Sequence, residues 1–249
     1  MKPPPRFAIG AQAIVGGRAR LTGAELHHLR NVMRLAAGAE VILLSGDGTE
    51  YTGRVAGFEP DAAIVTIGEA NDTDREPVRL ILAAALIKGP RMDFLVEKSA
   101  ELGAAELWPL LCTRCQVRDP GSARLERWQR LALAAAKQSL SPHMMKIRSV
   151  RSIADIIPDV PKRALALTCV QDAEPVAAVI RRTAPSALLV ACGPEGGFVP
   201  DELAAMDAAG FVAAGLGTSR LRSETAALAA LSIATGVLDE LRGRVDGGS

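Results

Sequence analysis

The sequence Gly193-Pro194-Glu195-Gly196-Gly197-Phe198 comes directly after the apolar run at residues 187–192. A second glycine-containing segment, residues 216–226 (LGTSRLRSETA), comes after the apolar run at 211–214. Glycine has no Cβ, so the backbone at these positions can approach a ligand closely. Two such loops at the carboxyl ends of strands, the second running into a helix, are typical of the ligand crevice of an α/β sheet. Together they predict a site for a small polar cofactor.

From residue 78 onward the chain alternates between strand-like and helix-like segments. The apolar, strand-like runs lie at 80–86, 107–111, 164–169, 187–192 and 211–216. The helical patterns lie at 91–102, 124–139, 174–183, 201–209 and 223–241. This alternation predicts a mainly parallel sheet with helices on both faces.

In the first seventy residues the strand-like runs are short and closely spaced, as in a small β domain. Their strand-like runs lie at 39–44, 51–55 and 63–67. Turn residues such as those at 46–48 separate the runs, and one helical pattern interrupts them at 24–34. This spacing predicts a small antiparallel barrel. The polar segment 71–77 predicts a linker, so we expect domains at residues 1–72 and 78–249.

Composition indicates a polyanionic partner. The 249-residue chain is 49% apolar but only 3% aromatic, which predicts a core of closely packed Ala, Leu and Val. Its net charge of +1 hides a basic middle third, with thirteen Lys and Arg against six Asp and Glu over residues 79–151. A local basic field of this kind favours binding to a polyanion.

Neither a membrane segment nor a metal site is predicted. No apolar run reaches the length of a membrane span, and the first residues lack the hydrophobic region of a signal peptide. Cys112 and Cys115 have the spacing of metal ligands, but no second pair completes a zinc site. Cys169 and Cys192 end apolar runs and are expected in the core. We therefore expect four reduced thiols in a cytoplasmic protein.

The motifs of several common enzyme classes are absent. No G-x-G-x-x-G lies between the first strand and the first helix of the α/β part, where a dinucleotide site requires it. The sequence also lacks a Walker loop and the G-x-S-x-G of a nucleophile elbow. The three histidines, at 27, 28 and 143, have no spacing that indicates metal ligation. The crevice between the glycine-containing segments remains the candidate site.

Six segments, taken in order, resemble one known family. They are Arg6-Phe7, 27–34, 88–92 with Lys98 and 101–103, Arg114 with 138–139, 193–198, and 221–226. In these segments nearly the whole chain resembles the SPOUT superfamily of S-adenosylmethionine-dependent RNA methyltransferases. Within it, the closest resemblance is to the bacterial small-subunit ribosomal RNA uridine-N3 methyltransferases.

The resemblance implies a fold, a reaction and partners. The implied fold is α/β, with a C-terminal SPOUT domain that has a mainly parallel sheet and a trefoil knot, and a small N-terminal PUA-like β-barrel that binds RNA. The implied reaction methylates N3 of a uridine in 16S ribosomal RNA, using S-adenosylmethionine, on the assembled small (30S) subunit. A homodimer with cofactor sites near the subunit interface is implied as well.

The resemblance also implies roles for residues of the crevice. Groups of the two glycine-containing segments are expected to bind the cofactor: Gly193, Glu195, Gly196, Gly197, Leu216, Gly217, Leu221 and Thr225. Arg222 is expected to position the uracil or its phosphate and to stabilise charge as N3 loses its proton. Glu224 is expected to orient Arg222 or a loop, and these two are the predicted catalytic residues.

RNA contacts are expected from basic residues of both domains. The predicted set is Arg6, Arg30, Arg34, Lys88, Arg91 and Arg114. Phosphate contacts of this kind give affinity without reading sequence. The small number of aromatic residues argues against base stacking and favours recognition of folded RNA by its shape.

Two segments depart from the family pattern, and two other functions stay open. Thr218-Ser219-Arg220 stands where Pro-Arg followed by an aliphatic residue is common, and Arg220 is expected to substitute from a neighbouring position. Leu140-Ser141 stands where many relatives have Gly-Arg, so a phosphate-binding arginine is missing there. The first alternative is a SPOUT methyltransferase of another RNA, acting on transfer RNA ribose or on guanine. The second is a non-catalytic RNA-binding assembly factor, for which no cofactor binding is expected.

Overall fold

The computed structural model describes residues 4–10, 13–45, 49–72, 78–139 and 143–246. The chain divides into two compact units: one contains residues 1–76 and 136–144, and the other contains residues 77–135 and 145–249. The predicted turn at 46–48, most of the predicted linker and the departure at Leu140-Ser141 lie outside the described residues. The predicted boundaries at 72 and 78 stay a prediction.

The N-terminal unit is built on one six-stranded sheet. Its strands are β1 (Arg6–Ala8), β2 (Ile14–Val15), β3 (Arg18–Thr22), β4 (Glu40–Leu44), β5 (Thr49–Phe58) and β6 (Ala62–Asp72), in the order β1-β4-β5-β6-β3-β2. The prediction of purely antiparallel pairing is wrong at one place, because β1 pairs with β4 in parallel. A parallel pair needs a long crossover, and the segment that contains β2, β3 and a helix supplies it.

The helix predicted at 24–34 is shorter and irregular. Helix α1 (Gly23–His27) continues as a π-helix over His28–Val32, and Arg34 then adopts a left-handed φ of 52°. Leu29 is fully buried and packs in the small core of this unit, which is formed mainly by Phe7 and by residues of β3 to β6. The helical segment is therefore held to the sheet through one apolar contact face.

The second unit has an entirely parallel sheet, as predicted. Its strands are β7 (Arg79–Ala85), β8 (Glu106–Leu110), β9 (Lys146–Ile147), β10 (Ala164–Cys169), β11 (Ala187–Cys192) and β12 (Val212–Ala214), in the order β12-β10-β11-β7-β8-β9. Almost every residue of β7, β8 and β11 is buried. Strands that are buried throughout are covered on both faces.

The helices of this unit also follow the predicted pattern. They are α2 (Pro90–Glu101), α3 (Ser122–Gln138), α4 (Ile153–Ile156), α5 (Val176–Thr183), α6 (Pro200–Ala208) and α7 (Ser223–Asp246). Strand β9 and helix α4 were not predicted, because two to four residues are too few to show a period. Helix α7 packs against α2, α5 and β11 through small residues such as Ala227, Ala230 and Ala234, which are fully buried.

The parallel register brings three strand ends to the same edge of the sheet. Thr168 of β10 lies opposite Ala191 of β11, and Cys169 lies opposite Ala214 of β12. The loops that follow β10, β11 and β12 therefore leave the sheet side by side, where α/β proteins bind ligands.

Backbone pairing fixes the chain just after β12. The Gly215 N–H donates to the Glu174 carbonyl at 2.8 Å, and the Val176 N–H donates to the Gly215 carbonyl at 3.0 Å. A Cβ at residue 215 would lie only 2.6 Å from the Ala173 carbonyl oxygen. Only glycine fits at this position, so the loop after β12 starts from a fixed point.

One buried carboxylate joins three strands at the other end of the sheet. Glu106, whose side chain is 5% exposed, accepts hydrogen bonds from Arg148 Nε at 2.6 Å, from Trp108 Nε1 at 3.0 Å and from Arg79 Nε at 2.9 Å. Burial raises the pKa of Glu106, but the hydrogen bonds from Arg148, Trp108 and Arg79 outweigh it, so this pKa lies below its ordinary value of 4.5.

We expect Glu106→Gln to lower the free energy of unfolding by about 1–3 kcal/mol at pH 7, because the amide loses charge-assisted hydrogen bonds. The carboxylate's contribution is fully present above pH 4.5 and is lost as the pH falls through its lowered folded pKa. Urea unfolding at a series of pH values measures the gap in free energy of unfolding between the parent protein and Glu106→Gln. The gap should shrink on acidification; a gap independent of pH would contradict the electrostatic role.

Candidate functional site

A cavity of about 300 Å³ opens at the carboxyl edge of the parallel sheet. The loops after β10, β11 and β12 and the first turn of α7 form its walls. We call residues 193–198 the first glycine loop and residues 215–222 the second glycine loop. Seven of the eight predicted cofactor residues line the cavity: Gly193, Glu195, Gly196, Gly197, Leu216, Gly217 and Leu221. The eighth, Thr225, is exposed in the first turn of α7 and does not line the cavity.

Both glycine loops use backbone shapes that other residues adopt only with strain. Gly197 has a φ of 71°, and its N–H closes a turn onto the Pro194 carbonyl at 2.8 Å. Gly217 has a φ of 109°, and a Cβ there would meet no atom within 4 Å. The glycines at 197 and 217 are therefore required by conformation. Gly193 is in a tight place, because a Cβ there would lie 3.3 Å from the Phe198 ring and would require the ring or the loop to shift slightly.

The cavity also has walls that sequence reasoning did not assign to it. Cys169 ends β10 and Cys192 ends β11, and both line the cavity together with Gln171. A hydrogen bond with Cys169, together with burial, raises the pKa of the Cys192 thiol well above its ordinary value. Cys192 therefore lines the cavity with a neutral thiol and not with a nucleophilic thiolate. The rule that ligands sit at the carboxyl ends of strands could have pointed to Cys169.

Ser223 has a buried hydroxyl without a hydrogen-bond partner. It is the first residue of α7, is only 5% exposed, and lines the cavity. Its Oγ is shielded from solvent and has no hydrogen-bond partner among the described residues. A buried hydroxyl without a partner costs free energy. The backbone of the two glycine loops, more than this hydroxyl, makes the cavity suitable for a ligand with several polar groups.

Arg91 links the two sides of the site instead of standing free. Its Nη1 lies 2.7 Å from Glu195 Oε1 in the first glycine loop and 3.6 Å from Glu224 Oε2 at the start of α7. The Glu224 oxygen is buried and accepts no hydrogen bond among the residues described. Glu224 therefore faces Arg91, and the predicted RNA-binding Arg91 is held by two carboxylates.

The segment after β8 braces the first glycine loop from another side. Arg114 Nη1 donates to the Gly196 carbonyl, and a Cβ on Gly196 would lie 3.0 Å from Arg114 Cδ. Glu202 accepts from the Thr113 N–H at 2.7 Å and from the Val199 N–H at 2.9 Å. Arg114, predicted to bind RNA, is thus engaged in holding the loop.

Arg222 is an exposed cation between two residues that line the cavity, Leu221 and Ser223, and the exposed Arg220 lines the cavity as well. Arg222 lies just before α7, and its carbonyl accepts the Ala226 N–H at 2.8 Å. Its guanidinium makes no ion pair with any residue in the described part of the chain. The guanidinium is therefore available to an anionic or polar substrate.

The remaining predicted RNA-binding residues differ in how free they are. Arg6 is partly buried and pairs with Glu50 at 2.8 Å. Arg30, Arg34 and Lys88 are exposed and form no ion pair within the described ranges. Charge is therefore available to a polyanion at Arg30 and Arg34 in the N-terminal unit and at Lys88 in the other unit.

The described residues provide neither a metal centre nor a membrane-spanning helix. They contain no group of three His, Cys, Asp or Glu side chains that could hold a metal ion. In the same residues, no helix is long and apolar enough to cross a lipid bilayer.

Family models and curated relatives match most of the chain. A model described as an RNA methyltransferase domain matches residues 74–235, and one described as an RNA methyltransferase PUA domain matches residues 21–68. Relatives named ribosomal RNA small subunit methyltransferase E include one from Bacillus subtilis, 32% identical over 90% of this chain and 91% of its own length. Another, from Synechocystis, is 30% identical over 94% of this chain and 78% of its own length.

Solved structures are similar as well. The Neisseria gonorrhoeae ribosomal RNA small subunit methyltransferase E, bound to S-adenosyl methionine, has a TM-score of 0.79 and 32% identity, and the match covers 92% of this chain and 95% of that one. A Legionella pneumophila protein with bound S-adenosyl methionine has a TM-score of 0.76 and 27% identity, covering 94% and 98%.

These similarities confirm the predicted family, the fold class with its PUA-type domain, and the enzyme class with its S-adenosylmethionine cofactor. The chain therefore belongs to the RNA methyltransferase family whose curated members are named ribosomal RNA small subunit methyltransferase E.

Proposed function

We propose that this protein transfers a methyl group from S-adenosylmethionine to N3 of a uridine in small-subunit ribosomal RNA. We further propose that it acts on the assembled small subunit and works as a homodimer in the cytoplasm. The observation that supports this most is the cavity between the two glycine loops. The trefoil knot and the domain boundaries at 72 and 78 belong to the same proposal.

The polar groups of S-adenosylmethionine suit the backbone groups that line the cavity. S-adenosylmethionine supplies an electrophilic methyl group on a sulfonium. In this proposal, free backbone groups at Gly193, Gly197 and Gly217, which line the cavity, form hydrogen bonds with adenine, ribose and amino-acid atoms of the donor. Because the glycine loops already have their folded conformations, little conformational entropy is lost when the donor binds.

Arg222 is the residue that we assign to the uracil. N3 lies on the pairing edge of the base, so the base must be unpaired or extruded to be reached. N3 must also lose its proton, which leaves negative charge on the ring. A guanidinium with no ion-pair partner among the described residues can donate hydrogen bonds to uracil O2 or O4, which share that charge, and leave N3 free to attack the methyl group. The protein would thus contribute alignment of the base and stabilisation of its anion.

Glu224 acts through Arg91 in this account. Its carboxylate points to the guanidinium that also pairs with Glu195, so it joins the start of α7 to the first glycine loop. Of the two roles predicted for Glu224, orienting a loop is the one that the ion-pair geometry favours. Glu224 is therefore a positioning residue for the cofactor loop.

Mass spectrometry of 16S ribosomal RNA tests the proposed reaction directly. A strain that lacks this protein should lose one N3-methylated uridine, and the purified protein should restore it on isolated small subunits. Restoration on naked RNA but not on subunits would contradict the proposed substrate. An unchanged ribosomal RNA with a missing transfer RNA methyl group would establish the first alternative, and absence of donor binding would establish the non-catalytic one.

We expect Gly197→Ala to weaken S-adenosylmethionine binding about tenfold, because a side chain at a φ of 71° costs about 1–2 kcal/mol or moves the loop. Isothermal titration calorimetry measures this affinity. The matched control is Gly236→Ala, an exposed position in α7 where a Cβ meets no atom within 4 Å. The control should bind normally; equal affinity for both variants and the parent would contradict the site.

We expect Arg222→Ala to lower kcat at least about 100-fold while donor affinity changes less than about twofold, since Arg222 does not line the cavity. Arg222→Lys should recover only part of the rate, because lysine lacks the planar fork. The rising limb of the pH–rate profile should move to higher pH in Arg222→Ala, since the uracil anion loses its stabilising charge. An unmoved profile would show that Arg222 has a structural role only.

A further inference from the structure

Phe58 is an aromatic ring at the surface of the N-terminal unit. It ends β5, is 36% exposed, and does not belong to the packed core of the unit. The Arg30 guanidinium lies over the ring, 5.6 Å from its centroid. Val32 and Met33, which follow Arg30 closely in the chain, are 61% and 37% exposed. Apolar surface is therefore left open beside a cation.

The strand geometry explains why Phe58 stands at this rim. The β5–β6 register shifts between Val55 and Gly57, and Phe58 then lies opposite Ala63. Ala63 is fully buried, and cross-strand partners share a face of the sheet. The bulge therefore turns Phe58 toward the core face at the very end of the strand, where too few neighbours remain to bury the ring.

The Arg30 charge beside Phe58 is uncompensated among the described residues, as is that of Arg18, whereas other arginines of this unit are paired. Arg54 pairs with Glu40, and Arg20 pairs with both Glu59 and Asp61. Arg30 and Arg34 have no carboxylate partner among the residues described. A cation that only shielded the ring would gain from a nearby carboxylate, as the paired arginines do.

The backbone that presents these arginines is unusual and firmly held. Arg30 lies within the π-helix, and Arg34 has a φ of 52°, a left-handed shape that costs free energy in a residue with a Cβ. Buried Leu29 anchors the segment, and the His28 ring contacts the Phe7 ring edge-on at 5.7 Å. Short π-helical segments and strained arginines occur frequently at functional sites.

We propose that Phe58 and Arg30 form a stacking site for one unpaired base of RNA, with Arg34 binding a flanking phosphate. RNA is chosen as the ligand on the basis of the proposed function. The ring and the guanidinium are both flat, and bases stack on either kind of surface. The expectation that bases do not stack on this protein came from composition, which cannot show where aromatic rings lie.

The test compares RNA that has unpaired bases with RNA that has none. Fluorescence anisotropy of the full chain measures affinity for a single-stranded oligouridine of twelve nucleotides and for a twelve-base-pair RNA duplex. We expect Phe58→Ala to weaken single-strand binding about tenfold and duplex binding less than twofold. Phe58→Tyr should retain the affinity of the parent. Equal losses on both RNAs, or no loss on either, would overturn the stacking site.

Salt dependence separates stacking from charge. Arg34→Ala should reduce the slope of log affinity against log salt by about one, whereas Phe58→Ala should leave the slope unchanged. Arg30→Lys keeps the charge but loses the flat surface, so it should weaken single-strand binding. Its control is Arg18→Lys, an exposed arginine of β3 with no ion pair among the described residues, which should bind as the parent does. Equal behaviour of the two lysine variants would contradict the role of Arg30.

A tryptophan in place of Phe58 reports stacking directly. Trp108 and Trp128 are both buried, so the fluorescence of Phe58→Trp would be distinguishable by its exposure. Oligouridine should quench this added signal at the concentrations that give binding. A protein that methylates ribosomal RNA but shows no quenching overturns the stacking site alone. A protein without methylation, donor binding or RNA affinity overturns the proposed function as well.

Discussion

The backbone pairing of Gly215 is the constraint on which the rest of the site depends. Its N–H and its carbonyl both form hydrogen bonds with the segment after β10. A Cβ at this position would lie only 2.6 Å from the Ala173 carbonyl oxygen, so no other residue fits. This contact fixes where the second glycine loop begins and, because β10 lies between β11 and β12, holds it beside the first. The cavity, the exposed Arg222 and the start of α7 all follow from that fixed point.

Charged side chains near the cavity hold loops in place. Arg91 bridges Glu195 and Glu224, and Arg114 donates a hydrogen bond to the Gly196 carbonyl. Both guanidinium groups are therefore engaged within the protein. Arg222, Lys88 and, in the other unit, Arg30 and Arg34 have no ion-pair partner among the described residues. This difference separates basic residues that shape the pocket from those that we propose bind RNA, although all of them look alike in the sequence.

Much of the fold could be predicted because its signals are local. Each long strand of the second unit is a continuous apolar run, most of its longer helices show a helical period, and the glycine loops follow apolar runs directly. The parallel β1–β4 pair and the Arg91–Glu195 pair join segments far apart in the sequence, so no local pattern reveals them. Cys169 reaches the cavity because β10 lies between β11 and β12, and no local pattern reveals that strand order. The position of Phe58 depends on the register shift between β5 and β6, which no local pattern reveals either.

Hydrogen–deuterium exchange with and without S-adenosylmethionine is the most direct measurement of the central claim, which is that the two glycine loops close around the methyl donor. Donor binding is expected to slow the exchange of backbone amide hydrogens in residues 193–198 and 215–223 and to change little in the N-terminal sheet. Donor binding that protects other segments and leaves both loops exchanging at their free rates would contradict it.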